Sequence, residues 1–134
     1  MLNVIFAVRS HFAEKIFSGE KCYEYRKRKC RQNVDRILLY VTSPVSSIVG
    51  EVLVENVLED SPNAIWQKTC NYSGLSKMEF YNYFYNQKRA VAYKLYHPVK
   101  YKNSFELKEL GLSVPQSFCY ISEDNYLCIL KNQK

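Results

Sequence analysis

A short stretch near the N-terminus, Gly19–Arg26 (GEKCYEYR), holds the side chains best suited to chemistry. Gly19 can adopt the left-handed conformation that ends a helix and turns the chain sharply. Lys21 then stands at the start of a strand, and Glu24 and Arg26, two residues apart, share one face of it. A carboxylate beside a guanidinium stays ionised and fixed in orientation. The spacing therefore predicts a site in which Glu24 accepts hydrogen bonds from a base edge, while Lys21 and Arg26 meet phosphate or carbonyl oxygens. The alternative is a surface salt bridge of little energetic consequence.

Positive charge is concentrated around the same stretch. The chain of 134 residues carries a net charge of +6, and the segment from Lys21 to Arg36 alone carries +5. A concentrated positive patch attracts polyanions and speeds their encounter. We therefore expect a nucleic-acid contact that combines the motif with the basic run, through Lys21, Glu24, Arg26, Lys27, Arg28, Lys29 and Arg31. A solvated basic loop without a partner is the competing interpretation.

Other polar and aromatic residues are candidates for lining a cleft. Trp66 lies in the first turns of a predicted helix, where an exposed ring would stack on a base, although core packing of the helices against the barrel is the favoured explanation. Tyr25 lies on the strand of the motif and is a second stacking candidate. Gln116 and Ser117 precede a predicted strand and either line the cleft or form a turn.

The elements that must position these residues follow from periodicity and local signals. Apolar alternation and β-branched runs predict strands, helical spacing predicts helices, and Ser61-Pro62 and Ser76/Glu79 predict helix starts. Gly50 inside a strand indicates a bulge or barrel corner. The predicted strands are 2–8, 21–28, 36–41, 48–58, 89–96 (limited by Pro98), 117–121 and 126–130, and the predicted helical segments are 11–18, one from Ser61, one from Ser76 and one or two turns within 104–110.

These elements predict an α+β protein. Six or seven irregularly spaced strands with two or three inserted helices favour a small mixed β-barrel over a doubly wound sheet. The length suits one domain, which we place at residues 1–130, followed by a polar tail at 131–134.

The pattern Gly-x-Lys-x-x-Glu-x-Arg after a short helix resembles the signature of ASCH domains, which belong to the PUA-like superfamily. Four later stretches look like the small stand-alone ASCH proteins of prokaryotes and phages, so the likeness covers nearly the whole chain. The resemblance implies a PUA-like barrel with a cleft beside the first helix, and family members are mostly regarded as RNA-binding or nucleotide-binding modules. The four stretches are Val41–Pro44 (VTSP), Ile48–Glu51 (IVGE), Tyr72–Ser76 (YSGLS) and Pro115–Ile121 (PQSFCYI).

One branch of the family raises the question of catalysis. Small amidohydrolases of this type remove the acetyl group of N4-acetylcytidine with a Lys, a Thr and a Glu. The Lys matches Lys21, but Glu24 stands where the branch has Thr, and Glu79 is only a candidate for the third residue. A carboxylate does not simply replace a hydroxyl nucleophile, so this departure argues against that activity.

Two functions remain open. The favoured one is a module that binds RNA, single-stranded nucleic acid or a modified nucleotide. The alternative is a hydrolase acting on a modified nucleoside or on RNA, an amidohydrolase or a ribonuclease, with Lys21 and Glu24 as its catalytic residues.

Composition sets further expectations. The five cysteines form no CxxC pair and match no zinc framework, and no metal-binding motif is present, so we expect no metal and no cofactor. Reduced thiols, together with no predicted signal peptide or membrane span, predict a cytoplasmic protein without a membrane partner. We expect a monomer or a weak dimer.

Overall fold

Six strands of mixed direction form the centre of the molecule, and the computed structural model describes residues 1–133. β-Branched and aromatic runs supply the strands, as expected of residues that pack well on a pleated surface. The strands are β1 (Asn3–Val8), β2 (Tyr23–Arg26), β3 (Arg36–Val41), β4 (Ser47–Asp60), β5 (Ala90–Phe105) and β6 (Phe118–Ile121). The helices are α1 (Ser10–Ser18), α2 (Pro62–Thr69), α3 (Lys77–Tyr83) and α4 (Glu123–Lys131), with 3₁₀ turns at Cys70–Tyr72 and Leu107–Leu110.

The sheet curls into a half-barrel with the strand order β2-β5-β4-β3-β1-β6. Strands β1 and β3 are parallel, and the other neighbours are antiparallel. Strands β2 and β6 therefore form the two edges. The predicted α+β, PUA-like fold is confirmed. Residues 1–133 form six strands and four α-helices, which is more than the two or three helices expected.

Both faces of the central strand β1 are covered, which explains its nearly continuous apolar sequence. Val4 and Phe6 face one buried cluster, which includes residues of α1, and Ile5 faces another, which is covered by α4. A third cluster lies beneath α2 and α3 and centres on Ile65 and Phe80, both fully buried. The helices thus cover apolar surface that the curled sheet alone would leave exposed.

The local signals for helix ends and for the bulge are confirmed. Gly19 caps α1 with a left-handed φ of 87°, and its N–H donates to Ile16 O. Ser61 caps α2, and Ser76 forms a reciprocal capping box with Glu79 at the start of α3. The pairing register of β4 shifts just before Gly50, as expected for a bulge.

The predicted strand 126–130 is wrong, because this segment belongs to helix α4. The hydroxyl of Ser122 accepts from the N–H of Asn125 and so caps the helix. Tyr126 and Ile129, three residues apart, are its buried positions. Helical spacing therefore outweighs the apolar character that suggested a strand.

Strand β5 continues past Pro98 instead of ending near Tyr96, so its predicted end is also wrong. Leu53 pairs with Tyr96 and Glu51 pairs with Val99, which leaves two residues of β5 opposite one residue of β4. The proline thus lies in a bulge, where its missing N–H costs no ladder hydrogen bond.

The C-terminal end of the described chain is tied to β5. Asn103 donates its backbone N–H to the side chain of Gln133 and its amide to Asn132 O. The predicted tail 131–134 begins at the last residue of α4, and Lys134 lies outside the described residues. Within residues 1–133, no helix is both long enough and apolar enough to cross a bilayer.

Candidate nucleotide cleft

Lys21 is buried where the chain leaves helix α1. After the turn at Gly19, the backbone N–H of Lys21 donates to Lys15 O, and its side chain is only 2% exposed. The ammonium donates to Ser73 O at 2.7 Å. The neighbouring Gly74 has a φ of +71°, and a Cβ there would lie 2.7 Å from Lys21 Cβ. A glycine is therefore needed for the 73–74 backbone to pack against the lysine.

The surroundings of Lys21 weaken its hold on a proton. Burial lowers the pKa of Lys21 to about 8, and the Glu24 carboxylate opposes this lowering. The ammonium also lies 4.8 Å from the ring centroid of Tyr25 and 5.3 Å from that of Phe12. An amine with a pKa near 8 exists in both protonation states close to neutral pH, so it can donate or accept a proton.

Glu24 and Arg26 lie on one face of β2, as their spacing predicts. Arg26 Nη2 lies 3.4 Å from Glu24 Oε2, and both side chains are largely buried. The guanidinium also donates to Ala7 O at 3.0 Å and to Ser117 O at 3.2 Å, and it lies 4.2 Å from the ring centroid of Phe6. Arg26 thus joins the β2 edge of the sheet to β1 and to the segment before β6. Its role as a phosphate ligand remains a prediction, because protein acceptors engage both terminal nitrogens.

These residues form the inner part of a cleft of about 500 Å³ between α1, β2 and α3. This volume lies within the range of small-molecule sites. Its inner wall combines a buried cation, Lys21, with a buried carboxylate, Glu24. The lining residues are Ala7, Val8, Arg9, Phe12, Lys21, Glu24, Tyr25, Arg26, Leu75, Glu79, Asn82 and Tyr83.

The predicted basic run lies on the surface, and its first residue is next to this cleft. Lys27, Arg28, Lys29 and Arg31 are all exposed, and we call them the basic segment. The buried Cys30 anchors it, since its N–H donates to the hydroxyl of Tyr93. Lys27 lies 5.0 Å from the ring centroid of the cleft-lining Tyr83, whereas Lys29 lines a separate pocket with Val54.

The stacking candidates from the sequence fall in different places. Trp66 does not line the cleft and packs half-buried against Phe80, with ring centroids 4.9 Å apart. Tyr25 does line it, but its ring is 4% exposed and its hydroxyl is bonded to Thr69. Tyr25 therefore has no accessible ring face, and Trp66 lies outside the cleft.

The two candidates that precede β6, Gln116 and Ser117, also differ in their position relative to the cleft. The hydroxyl and carbonyl oxygens of Ser117 both accept from Arg26. Gln116 is exposed and is not among the cleft-lining residues. Ser117 therefore supports the cleft through the arginine.

Helix α3 supplies three of the lining residues, and the family resemblance names one of them, Glu79, only as a candidate of the amidohydrolase pattern. Glu79, Asn82 and Tyr83 come from helix α3, three and four residues apart, next to the buried positions Phe80 and Phe84. Their spacing places them on one side of the helix, which is a usable signal once the buried face is known. Which side faces the cleft depends on how α3 packs, and sequence spacing carries no such information.

Comparisons with known proteins agree with this architecture. A family model described as a domain of unknown function (DUF365) matches residues 1–123. An ASCH domain-containing ribonuclease of Zymomonas mobilis is 28% identical over 127 residues, covering 91% of this chain and 86% of that protein. The crystal structure of ASCH from Zymomonas mobilis superposes with a TM-score of 0.90 at 23% identity, over 98% of this chain and 96% of that one. The chain belongs to the DUF365 family and is an ASCH domain.

The fold extends to a more distant solved structure. The N-terminal domain of Staphylothermus marinus McrB matches this ASCH domain with a TM-score of 0.62 at 13% identity, over 96% of this chain. A likeness at that level concerns the fold alone. In this ASCH domain, Lys21, Glu24 and Arg26 of the signature all line the cleft, as the family resemblance implied.

Proposed function

We propose that this ASCH domain binds RNA and seats one nucleotide in its cleft. The observation that carries the proposal is that the Lys21 ammonium and the Glu24 carboxylate are both buried in the wall of an open cleft, where the ammonium donates to Ser73 O and the carboxylate pairs with Arg26. Burying two charges is costly unless they are well paired, and such groups often serve a ligand. A nucleobase offers the matching partners, because a ring carbonyl accepts from the ammonium and an exocyclic amine donates to the carboxylate.

The basic segment supports a polyanionic ligand rather than a free nucleoside. Its four cations are exposed and follow directly after Arg26 at the cleft. Binding to phosphates releases counterions, so affinity for single strands falls with salt in proportion to the number of phosphates bound. RNA is favoured over DNA because the Zymomonas mobilis relative is named a ribonuclease.

The test is a titration of labelled single-stranded RNA and DNA over a series of salt concentrations. The double variant K27Q/K29Q should lower the slope of log K against log salt by about 0.7 for each phosphate that it no longer binds. The matched control K102Q/K108Q removes the same charge from exposed lysines outside the cleft lining. Absence of binding at low salt, or equal slopes for the two double variants, would contradict the proposal.

Base recognition is tested separately through Glu24. E24Q preserves the shape of the side chain but replaces one acceptor oxygen with an amide donor. It should weaken binding to RNA rich in amino-bearing bases more than binding to oligouridylate, since uracil has no exocyclic amine. Equal losses of affinity for both sequences would show that Glu24 does not contact the base.

A second candidate, RNA or nucleoside hydrolysis, is favoured by the lowered pKa of Lys21. As a neutral amine, Lys21 would accept the 2′-hydroxyl proton while that oxygen attacks the phosphorus, and the 5′-oxygen would leave with a proton taken from water. Glu79 also lines the cleft, so the lysine and a distant carboxylate of the amidohydrolase pattern are both present. Glu24 still occupies the position of the hydroxyl, which disfavours deacetylation.

Catalysis is tested by incubating the protein with RNA and with N4-acetylcytidine and separating the products by chromatography. Turnover that rises with pH, is half-maximal near pH 8 and disappears in K21A with its fold intact would make the domain a hydrolase. Intact substrates together with salt-dependent binding would leave it a binding module. Turnover that persists in K21A would remove Lys21 from the reaction.

A further inference from the structure

One exposed aromatic side chain stands on the wall of the cleft, beside a cation of the basic segment. Tyr83, the last residue of α3, is 39% exposed and lines the cleft. Lys27 Nζ lies 5.0 Å from the centroid of its ring. We propose that Tyr83 stacks on the base of the nucleotide in the cleft, and that Lys27 binds a phosphate next to that nucleotide. This inference rests on the proposed RNA-binding function.

Tyr83 is the aromatic residue whose position fits stacking. Among the cleft-lining residues that the structure describes, the other rings are the buried Tyr25 and the half-buried Phe12. Both contact the Lys21 ammonium. Stacking requires an accessible ring face, and Tyr83 has the largest exposed surface of the three.

The ring of Tyr83 is also held in place before any ligand arrives. It meets the ring of Phe84 edge-to-face, with centroids 4.8 Å apart and an interplanar angle of 79°. Phe84 is 3% exposed, and the capping box of Ser76 and Glu79 fixes the other end of the helix. A held ring loses little conformational freedom on binding, which favours affinity.

The Lys27 ammonium can exchange its contact with the Tyr83 ring for a contact with a phosphate when RNA binds. Its contact with Tyr83 is a cation–π interaction at an exposed site, which is weak. A phosphate beside the stacked base offers a full negative charge, which is a stronger partner for the ammonium. Lys27 directly follows Arg26 in the chain, so it lies where the bound RNA strand would leave the cleft toward the rest of the basic segment.

The experiment measures binding of fluorescein-labelled oligoadenylate to wild type, Y83L, Y83W and the control Y85L. Tyr85 is 80% exposed on the same segment but does not line the cleft. Because Y83L loses the stacking on one base, its affinity for the oligonucleotide should be about 10-fold lower than that of wild type. Y83W should bind at least as well as wild type, and Y85L should be unchanged. Y83L should keep the wild-type salt slope, whereas K27Q should lower it by about 0.7.

Two outcomes separate this inference from the function on which it rests. If wild type binds RNA and Y83L binds as tightly as Y85L, stacking on Tyr83 is overturned and RNA binding stands. If wild type does not bind at low salt, both are overturned. Photocrosslinking of wild type to bromouridine-containing RNA avoids any effect of the substitutions on folding. A crosslink at Tyr83 supports the inference, and crosslinks found only at Trp66 or Tyr85 overturn it.

Discussion

Replacing the buried Lys21 with methionine should reveal its protonation through the pH dependence of stability. Methionine has a similar length and no charge, so K21M removes the titrating group and keeps most of the packing. Burial lowers the pKa of Lys21 from 10.5 to about 8. At about 1.4 kcal/mol for each pH unit, holding the ammonium in the folded protein costs about 3 kcal/mol relative to water.

The sign of the effect follows from which state holds the proton. Between pH 8 and 10.5 the folded protein has released the Lys21 proton while the unfolded chain still binds it. Stability rises with pH wherever the unfolded state binds more protons. The free energy of unfolding of wild type, minus that of K21M, should therefore be flat below pH 7 and rise by about 2–3 kcal/mol by pH 10.

The assay is urea unfolding of both proteins, followed by circular dichroism at several pH values from 6 to 10. Burial raises the pKa of Tyr25 to about 12 and also raises the pKa of Tyr101, so tyrosine ionisation destabilises the fold at high pH. Both proteins keep these tyrosines, and the difference between the two cancels their contribution. A difference that stays flat or falls between pH 8 and 10 would refute a buried Lys21 with a lowered pKa.

Three further substitutions test the supports of the cleft. G74A places a Cβ against Lys21 at a positive φ, so it should lower the free energy of unfolding by about 2–3 kcal/mol and weaken RNA binding. The control G111A has a similar φ but open space around the Cβ, so urea unfolding should show a loss of about 1 kcal/mol. W66A should destabilise the protein by about 2 kcal/mol because it removes packing against Phe80. W66F should keep both the stability and the RNA affinity of wild type. A weaker RNA affinity of W66F would show that Trp66 contacts the ligand. R26K keeps the charge but not the several hydrogen bonds of Arg26, so it should lower the free energy of unfolding by about 1–2 kcal/mol. An unchanged free energy of unfolding would show that the bonds from Arg26 to Ala7 O and Ser117 O do not stabilise the fold.

Much of the site is local in sequence, which is why it could be predicted. Gly19 ends α1, Lys21 follows the turn, and Glu24 and Arg26 share a strand face by alternation. The helix caps at Ser61 and Ser76 are equally local. Each of these features depends on backbone geometry within a few residues, and residue type and spacing are enough to specify it.

The errors arose where an apolar segment fits two structures. The 126–130 segment is short and apolar, so strand and helix were both compatible with it. The segment forms helix α4 because helical spacing lets Tyr126 and Ile129 both pack in the buried cluster. Similarly, Pro98 continues a strand because the bulge opposite β4 needs no N–H from it.

The sequence by itself determined the fold class, the motif and the basic segment that follows it. Tertiary structure decided the rest of the cleft. It brought Ser73 and Gly74 over Lys21, brought Ser117 to Arg26, and turned Tyr83 rather than Trp66 toward the cleft. These contacts join residues far apart in the chain. They follow from how curled strands and helices pack, and no local rule of spacing encodes that packing.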